Sequence, residues 1–364
     1  MARLAPGIKL LRSLARAAKA NQKLTLKLLA GSTPPRKRPP RTARPPPALP
    51  PLTGQWLTGS LAPIDYWLYL PRAIPGDVAH QGWPLIVMLH GCHQSAPEFA
   101  EGTRMNRLAD AKGYAVLYPQ QSLTAHPHRC WRWYDRATQQ GGGDTALVAA
   151  LIEQVVKRFP IDRSRIYACG LSAGAGMAAV LALNHPELIA AIGQHSGPVF
   201  GAGHSRMGAL HVMRHGAPLG ADAAIGNLLE RRSALAVAGG QILPMPPMPA
   251  ILIQGAQDQV VHPVNQQHLT RQWLQLNGLP AGPATKVTVK PAGRSGGRSN
   301  NALEMHDYLI GRKLMLRVAR IAGLGHAWSG GDGSLKFNAG AGPDASRMVL
   351  EFFGRHRRRA SPAR

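Results

Sequence analysis

Short apolar runs alternate with helical stretches from residue 84 onward, and this alternation restricts the fold more than any other feature. The runs at 84–89 (PLIVML) and 250–254 (AILIQ) are apolar almost throughout, as strands buried on both faces of a sheet are. The pattern predicts strands at 84–89, 114–118, 166–169, 188–194, 250–254 and 314–321, and helices at 98–112, 144–159, 173–184, 264–276 and 344–353. We therefore predict an α/β fold with a mostly parallel central sheet and helices on both faces.

Three further segments depart from this alternation. Residues 52–70 are rich in aromatic residues and are expected to form an antiparallel hairpin at the sheet edge. Residues 201–249 and 291–312 are rich in Gly, Pro and His or Arg. We expect the first of these two segments to be an insertion above the site and the second to be a surface loop.

The positive charge of the chain is concentrated at its ends. The 364 residues include 43 Lys and Arg against 18 Asp and Glu, a net charge of +25. Residues 1–50 hold five Lys, seven Arg and no acidic residue, and residues 351–364 hold five Arg and one Glu. We therefore predict a basic, proline-rich extension at 1–51, a folded domain at 52–354 and a basic tail at 355–364.

The N-terminal extension has two parts. Apolar residues recur at helical spacing among Lys and Arg over 8–29, which is compatible with a basic amphipathic helix, and prolines make 33–51 an extended linker. Two interpretations remain open: a disordered, solubilising tail, or a segment that docks on an anionic surface such as a membrane or nucleic acid. Lys and Arg interrupt each apolar run, so we expect no ordinary signal peptide and favour a cytoplasmic location.

Composition excludes several classes of protein. Three cysteines, an odd number, argue against a fold held together by disulfides. The longest apolar runs are shorter than the roughly 18 residues that a membrane-spanning helix needs. The histidines at 204, 211 and 215 lack a clear ligand motif, so we expect neither a metal nor a cofactor.

The segment 170–174 reads Gly-Leu-Ser-Ala-Gly, a G-x-S-x-G motif. It follows the strand predicted at 166–169 and precedes the helix predicted at 173–184, the setting that a nucleophile elbow requires. The flanking glycines are expected because the serine backbone is strained and its neighbours pack without room for side chains. We predict that Ser172 is the nucleophile of a hydrolase.

A serine hydroxyl needs a base to take its proton and an acid to orient that base. In this architecture both follow later strands in the order Ser, Asp, His. Asp258 follows the strand at 250–254, and His326 follows the strand that ends at residue 321. We predict Asp258 as the acid and His326 as the base, with Asp307 and Asp332 as less favoured acids.

The oxyanion of the reaction needs two N–H donors. One is expected from Ala173, directly after the nucleophile. The other is expected from Cys92, because Gly91 lets the loop after the first core strand turn toward the site.

Five segments, in this order, resemble the polyhydroxybutyrate depolymerase family of esterases. They are 90–92 (HGC), 130–134 (CWRWY), 170–174 (GLSAG), 255–265 and 325–331 (GHAWSGG). The resemblance covers about residues 65–354 and implies an α/β-hydrolase fold and a serine carboxylic-ester hydrolase. It gives Ser172, Asp258 and His326 the catalytic roles and Cys92 and Ala173 the oxyanion hole, in agreement with the residue-level assignment.

The resemblance also implies that Trp131, Trp133 and Trp328 line the acyl or alcohol site. Arg132 departs from the asparagine usual in the family. Cys92 and Cys130 flank the expected site, and the sequence leaves open whether they form a bridge, which would require an oxidising compartment. Cys169 precedes the elbow on a buried strand and should be an inert thiol.

The implied substrates are hydroxyalkanoate oligoesters, cleaved through an acyl-enzyme. One alternative is a feruloyl- or acetylxylan-type esterase, since those enzymes share the motifs. A second is a non-catalytic protein whose basic extension binds a polyester granule, another anionic surface or nucleic acid. The resemblance also makes an extracellular location the alternative to the cytoplasm.

Overall fold

The computed structural model describes residues 51–72, 81–217, 223–237, 245–295 and 297–358, without the side chains of 234–237 and 295. The chain divides into the units Met1–Pro51 and Leu52–Arg364. The amphipathic helix and the linker predicted for the extension lie outside the described residues, apart from Pro51, so they stay predictions.

Ten strands form one sheet in the order β1-β2-β4-β3-β5-β6-β7-β12-β11-β8. The six strands from β4 to β12 in this order are parallel to one another. At one edge β2 pairs antiparallel with β4 and with β1, and at the other edge β11 pairs antiparallel with β12 and with β8. Two small pairs, β9 with β10 and β13 with β14, lie outside this sheet. The strands are β1 (Gln55–Leu61), β2 (Ile64–Leu70), β3 (Trp83–Leu89), β4 (Ala115–Gln120), β5 (Ile161–Leu171), β6 (Ala191–His195), β7 (Ala250–Gly255), β8 (Lys286–Lys290), β9 (Gly293–Ser295), β10 (Arg298–Asn300), β11 (Leu303–Ile310), β12 (Lys313–Ile321), β13 (Trp328–Ser329) and β14 (Asn338–Ala339).

Helices connect the parallel strands, as parallel pairing requires. The described helices are α1 (Ala96–Thr103), α2 (Met105–Lys112), α3 (Arg136–Gln139), α4 (Gly143–Arg158), α5 (Ala173–Asn184), α6 (Arg206–His215), α7 (Ala223–Val237), α8 (Val264–Leu276) and α9 (Ala345–Phe353). Several begin at a residue whose side chain accepts an N–H of the first turn, namely Ser95, Asp135, Ser205 and Asp344.

The side chains of the central strands divide between two hydrophobic clusters, one on each face of the sheet. In β3, Leu85 and Val87 belong to one cluster, and Ile86 and Met88 belong to the other. The alternation follows from the two-residue period of a strand. Because both faces are covered, the central strands are apolar throughout, which is the pattern that made them recognisable in the sequence.

Most predicted elements are confirmed, including the α/β class, the edge hairpin as β1 and β2, and the bounds of α5 and α8. The single helix predicted at 98–112 is wrong, because Arg104 takes the left-handed conformation with φ 55° and separates α1 from α2. The surface loop predicted at 291–312 is also wrong, since this segment contains β9, β10 and β11. The segment 201–249 contains α6 and α7.

The domain extends beyond the predicted boundary at residue 354. The carbonyl of His356 accepts a hydrogen bond from the Tyr167 hydroxyl at 2.6 Å, and the Arg358 N–H donates to the Ser164 carbonyl at 2.8 Å. Residues 355–358 therefore pack on β5. None of the described helices is long and apolar enough to span a membrane.

His356 makes the stability of this domain depend on pH. The ring is buried against Phe352, and neither ring nitrogen has a hydrogen-bond partner. Burial, with help from nearby Lys313 and Arg355, lowers the pKa of His356 to about 4, against about 6.5 in an unfolded chain. The unfolded state therefore binds one more proton between these values, and stability falls as the pH falls from about 6.5 to 4.

We expect His356→Leu to remove this contribution. The slope of unfolding free energy against pH should become shallower by up to about 1.4 kcal/mol per pH unit in that window. Urea unfolding of wild type and variant at several pH values measures it. His306→Leu, which changes a histidine on β11 that is partly exposed and paired with Glu304, is the control. Equal slopes for wild type and His356→Leu would contradict the prediction.

Candidate active site

Ser172 lies at the tight turn between β5 and α5. Its φ of 57° and ψ of −120° lie outside the regions that residues with a side chain ordinarily adopt. Its N–H donates to the carbonyl of His195 at 3.0 Å, and the residue is buried. The strand–turn–helix setting predicted from the motif is present, at the carboxyl edge of the sheet.

The glycines around Ser172 are required by close packing. A Cβ on Gly174 would overlap the carbonyl oxygen of Leu89 at the end of β3, and a Cβ on Gly170 would overlap the backbone of Gly174. A Cβ on Gly176 would lie 2.9 Å from Cγ of Trp133. The turn can therefore approach β3 only without these side chains.

Asp258 and His326 are brought together by two neighbouring parallel strands, β7 and β12. Nδ1 of His326 lies 2.9 Å from Oδ2 of Asp258. An ionised carboxylate only accepts hydrogen bonds, so Nδ1 carries the proton and Nε2 is left to accept one. Gly255 allows the two loops to meet, because a Cβ there would overlap the carbonyl oxygen of Leu324.

The carboxylate of Asp258 is buried, with 1% of the residue exposed, and donors surround it. They are the N–H groups of Val260 (3.0 Å) and Val261 (2.9 Å), Nε2 of Gln254 (3.1 Å) and Nδ1 of His326 (2.9 Å). Burial alone would raise the pKa of Asp258. The hydrogen bond and charge of His326 and the bonds from Val261 and Ser196 outweigh burial, so the pKa lies below its usual value.

The loop after β3 lies beside Ser172, since a Cβ on Gly91 would be 3.6 Å from the Cβ of Ser172. His90 holds this loop. Its Nε2 accepts the N–H of Gln121 at 3.1 Å, so its Nδ1 carries the proton and donates to the Gly91 carbonyl at 2.8 Å. Burial lowers the pKa of His90 to about 4, which keeps the ring neutral. A trans peptide directs its C=O and N–H to opposite sides, so the Cys92 N–H points away from His90.

Cys92 and Ala173, the two residues predicted to supply oxyanion donors, follow the Gly91 turn and Ser172 directly. Within the described part of the chain, the hydrogen bonds that hold the two turns use the N–H of Gly91, to Gln94, and the N–H of Ser172, to His195. They do not use the N–H groups of Cys92 and Ala173. Both amides are therefore left for another acceptor.

A disulfide bond joins Cys92 to Cys130, with the two Cα atoms 4.4 Å apart. The sequence left this pairing open. The bond ties the loop after β3 to the segment that follows β4, and the His93 N–H reinforces it by donating to the His128 carbonyl at 2.7 Å. Cys169 is a free, buried cysteine, and burial raises the pKa of its thiol above the usual value, as expected for an unreactive cysteine.

The three tryptophans expected to line the substrate site are buried. Trp131 and Trp328 are 0% exposed, and Trp133 is 2% exposed. Trp328 packs edge-on against Phe99, and its Nε1 donates to Oγ of Ser346 at 3.0 Å. These rings offer no surface to a substrate in this structure. The structure places the three rings in the core, and the substrate-lining role that the resemblance implies stays a prediction.

Arg132, which departs from the family pattern, is anchored by a buried acid. Its backbone N–H lies 2.8 Å from Oδ2 of Asp144, and its guanidinium lies 3.3 Å from Oδ1. Nε2 of Gln121 also donates to Asp144, at 2.8 Å. Asp144 therefore links the segment of the tryptophans to the loop after β4, and the outer part of Arg132 remains in solvent.

The histidines near the disulfide form a small cluster. The rings of His93 and His128 are 4.5 Å apart, and those of His126 and His128 are 5.9 Å apart. Nowhere in the described ranges does the structure bring three or more His, Cys, Asp or Glu into an arrangement that could hold a metal ion. We therefore do not assign this histidine cluster as a metal site.

Sequence reasoning missed His195, the last residue of β6, and Ser196, which follows it. Both are buried, at 1% and 0% exposed. The His195 carbonyl accepts the N–H of Ser172, and its ring Nε2 accepts the N–H of Ser329. A signal was available. Three consecutive polar residues, Gln194, His195 and Ser196, end the strand between those of the nucleophile and the acid. Polar residues at the carboxyl ends of parallel strands belong to the ligand edge of a sheet.

A mostly parallel sheet with helices on both faces, a serine elbow and an Asp–His pair at one edge define an α/β hydrolase. The sequence matches the model of the family described as "Esterase PHB depolymerase" over residues 64–293. The chain belongs to this esterase family.

Two relatives and one solved structure are consistent with this membership. Poly(3-hydroxyalkanoate) depolymerase C of Paucimonas lemoignei is 29% identical over 223 residues, which are 61% of this chain and 50% of that protein. Feruloyl esterase B of Neurospora crassa is 36% identical over 115 residues, 31% of this chain and 38% of that protein. The chain spans about half the length, or less, of these two relatives. An acetyl xylan esterase structure from Aspergillus awamori has a TM-score of 0.60 at 21% identity, over 83% of this chain and 99% of that one, and thus shares the fold.

The position of the disulfide yields a prediction. The bond closes a loop with a sequence separation of 38, for which loop-closure entropy corresponds to roughly 4 kcal/mol. We expect Cys130→Ser to lower the free energy of unfolding by about 2–4 kcal/mol, and kcat to fall because the Cys92 loop loses its anchor. Denaturant unfolding and esterase assays with and without dithiothreitol measure both effects.

The reductant should destabilise the wild type and leave Cys130→Ser unchanged. Cys169→Ala is the control and should respond to dithiothreitol as the wild type does, because Cys169 is not part of the bond. A wild type whose stability is the same in both conditions would contradict this account.

Proposed function

We propose that the protein is a serine carboxylic-ester hydrolase of the polyhydroxybutyrate depolymerase type that works through an acyl-enzyme. The observation that carries the proposal is the buried Asp258–His326 hydrogen bond at the same edge of the sheet as the strained turn of Ser172. This arrangement has the parts of a Ser-His-Asp triad. Family membership and the relatives support it.

In the first stage, Nε2 of His326 takes the proton of the Ser172 hydroxyl while Oγ attacks the ester carbonyl carbon. Asp258 holds the imidazole in the tautomer with the proton on Nδ1 and stabilises the imidazolium that forms. The alcohol then leaves with a proton from His326. This order of proton transfers needs Asp258 ionised, and its lowered pKa supports that.

The carbonyl oxygen becomes negative in the tetrahedral intermediate. The N–H groups of Cys92 and Ala173, which the local hydrogen bonds of the two turns leave unused, are the donors for it. Water then attacks the acyl-enzyme with His326 again as the base, which releases the acid and restores Ser172.

Hydroxyalkanoate oligoesters are the substrate class that we favour, because the family model and the Paucimonas lemoignei relative both point to these esters. A feruloyl- or acetylxylan-type esterase is the second candidate. The observation that favours it is the 36% identity to feruloyl esterase B across 115 residues, which is higher local identity than to the depolymerase.

The disulfide bears on the location of the enzyme. Disulfides persist mainly in oxidising compartments, and the bond between Cys92 and Cys130 holds the loop that carries one oxyanion donor. This favours the extracellular alternative over the cytoplasmic location expected from the extension.

Removal of the triad groups tests the reaction. On p-nitrophenyl butyrate, Ser172→Ala and His326→Gln should each lower kcat at least about 10⁴-fold. Asp258→Asn should lower it by roughly 10²- to 10⁴-fold, because the acid acts on the reaction through the base. Ser60→Ala, at an exposed serine on edge strand β1, is the control and should keep wild-type kcat. Substantial activity in Ser172→Ala would remove the nucleophile assignment, and an unchanged rate in Asp258→Asn would point to another carboxylate.

The substrate class is tested by a panel of 3-hydroxybutyrate oligomers, methyl ferulate and acetylated xylan at equal enzyme concentration. We expect the highest kcat/KM on the oligomers. Ser172→Ala, run in parallel, corrects for hydrolysis that does not depend on the site. A higher kcat/KM on methyl ferulate or acetylated xylan would replace the favoured substrate class with the second candidate.

A further inference from the structure

The residue pair His195-Ser196 ends β6, the strand between that of the nucleophile and that of the acid. Both residues are buried, so neither offers a surface to a substrate. The backbone of the pair nevertheless contacts the nucleophile turn, and its side chains contact the acid and the loop of the base. A pair in this position can act on the reaction only through other residues.

The hydrogen bonds of the His195 ring have a definite direction. The Ser329 N–H, which can only donate, lies 3.3 Å from Nε2 of His195, so Nε2 is the acceptor. The proton of the neutral ring is therefore on Nδ1, which lies 3.2 Å from Oγ of Ser196 and donates to it. Because Oγ already accepts this bond, the Ser196 O–H is left to donate elsewhere, and the Ser196 side chain is one of the groups that lower the pKa of Asp258.

The surroundings of His195 keep the ring neutral and immobile. The ring stacks on Trp328, with centroids 5.1 Å apart and an interplanar angle of 28°. Burial lowers the pKa of His195 to about 3, so the ring carries no charge at neutral pH. A protonated ring would bring an Nε2–H against the Ser329 N–H, two donors facing each other. The neutral tautomer is the one that this site accepts.

The backbone of the pair is tied to the nucleophile and carries strain. The His195 carbonyl accepts the N–H of Ser172 at 3.0 Å. Ser196 has a φ of 51°, a left-handed conformation that is unfavourable for a residue with a side chain. Glycine would adopt this backbone conformation freely. We therefore attribute the presence of a serine at this position to its hydroxyl group.

We propose that His195 and Ser196 are positioning residues for the ester hydrolysis, forming a one-way hydrogen-bond chain from the Ser329 N–H through His195 and Ser196 to Asp258. The chain adds a donor to the carboxylate and fixes its orientation, so that Oδ2 faces Nδ1 of His326. The role of His195 and Ser196 in catalysis rests on the proposed function, whereas the hydrogen-bond chain is independent of that function.

The hydroxyl is tested by Ser196→Ala and Ser196→Gly. Both remove the donor to Asp258, and glycine also relieves the backbone strain. We expect kcat on p-nitrophenyl butyrate to fall about 10- to 100-fold in both, the range of one hydrogen bond to a charged group, with KM within twofold of wild type. Thr103→Val is the control: it removes a buried hydroxyl of α1 that bonds only backbone carbonyls, and it should lower stability without changing kcat.

The ring of His195 is tested by a pair of variants with opposite properties. His195→Phe keeps a ring that can stack on Trp328 and loses the hydrogen bonds, whereas His195→Asn loses the stack and keeps an N–H near the position of Nδ1. If the hydrogen-bond chain positions Asp258, the His195→Asn variant should retain a higher kcat than the His195→Phe variant. The reverse order would mean that His195 only fills space.

A readout independent of activity is the downfield proton NMR resonance of the His326 Nδ1–H, assigned by its loss in His326→Gln. We expect it to move in Ser196→Ala and to stay in place in Thr103→Val. A wild-type position in Ser196→Ala, together with wild-type kcat, overturns the proposal. If the resonance moves in Ser196→Ala but the wild-type protein hydrolyses none of the tested esters, the hydrogen-bond chain is supported and the proposed function is contradicted.

Discussion

The carboxylate of Asp258 is the group on which the rest of the site depends. A charge that is almost entirely withdrawn from water is stable only if donors replace its hydration. Four groups within hydrogen-bond distance do so, from the loops that follow β7 and β12 and from β7 itself. Each of these loops must therefore adopt one conformation, and the position of His326 follows from that requirement.

The parallel centre of the sheet explains why these groups can meet. Parallel strands end at the same edge, so the residues that follow β3, β5, β6, β7 and β12 share one side of the molecule. Close approach at that edge depends on missing side chains. Gly174 allows the nucleophile turn to touch β3, and Gly255 allows the acid loop to touch the loop of His326. Rigid strands thus carry the catalytic groups, and neutral buried histidines connect the loops between them.

The sequence was most informative where local pattern and position coincide. Ser172 was found because a strand, a motif and a helix occur together, and Asp258 and His326 because each follows a recognisable apolar strand. The sequence was least informative about the direction in which a side chain points. The resemblance implies that Trp328 lines the substrate site, whereas in the structure its ring packs on Phe99 and His195 in the core. The break at Arg104 was also missed, since the residue with the left-handed conformation is an arginine and the nearby Gly102 lies inside α1.

The α/β class, the family and the three residues proposed as the triad could be predicted from the amino-acid sequence, because apolar periodicity and short motifs are local properties. The pairing of Cys92 with Cys130, the burial of the three tryptophans and the tautomers of His90 and His195 became known only from the three-dimensional structure. These depend on which groups from distant segments meet, and on the direction in which each can donate a hydrogen bond. His195 and Ser196 gained their roles in this way, from neighbours as far along the chain as Ser329.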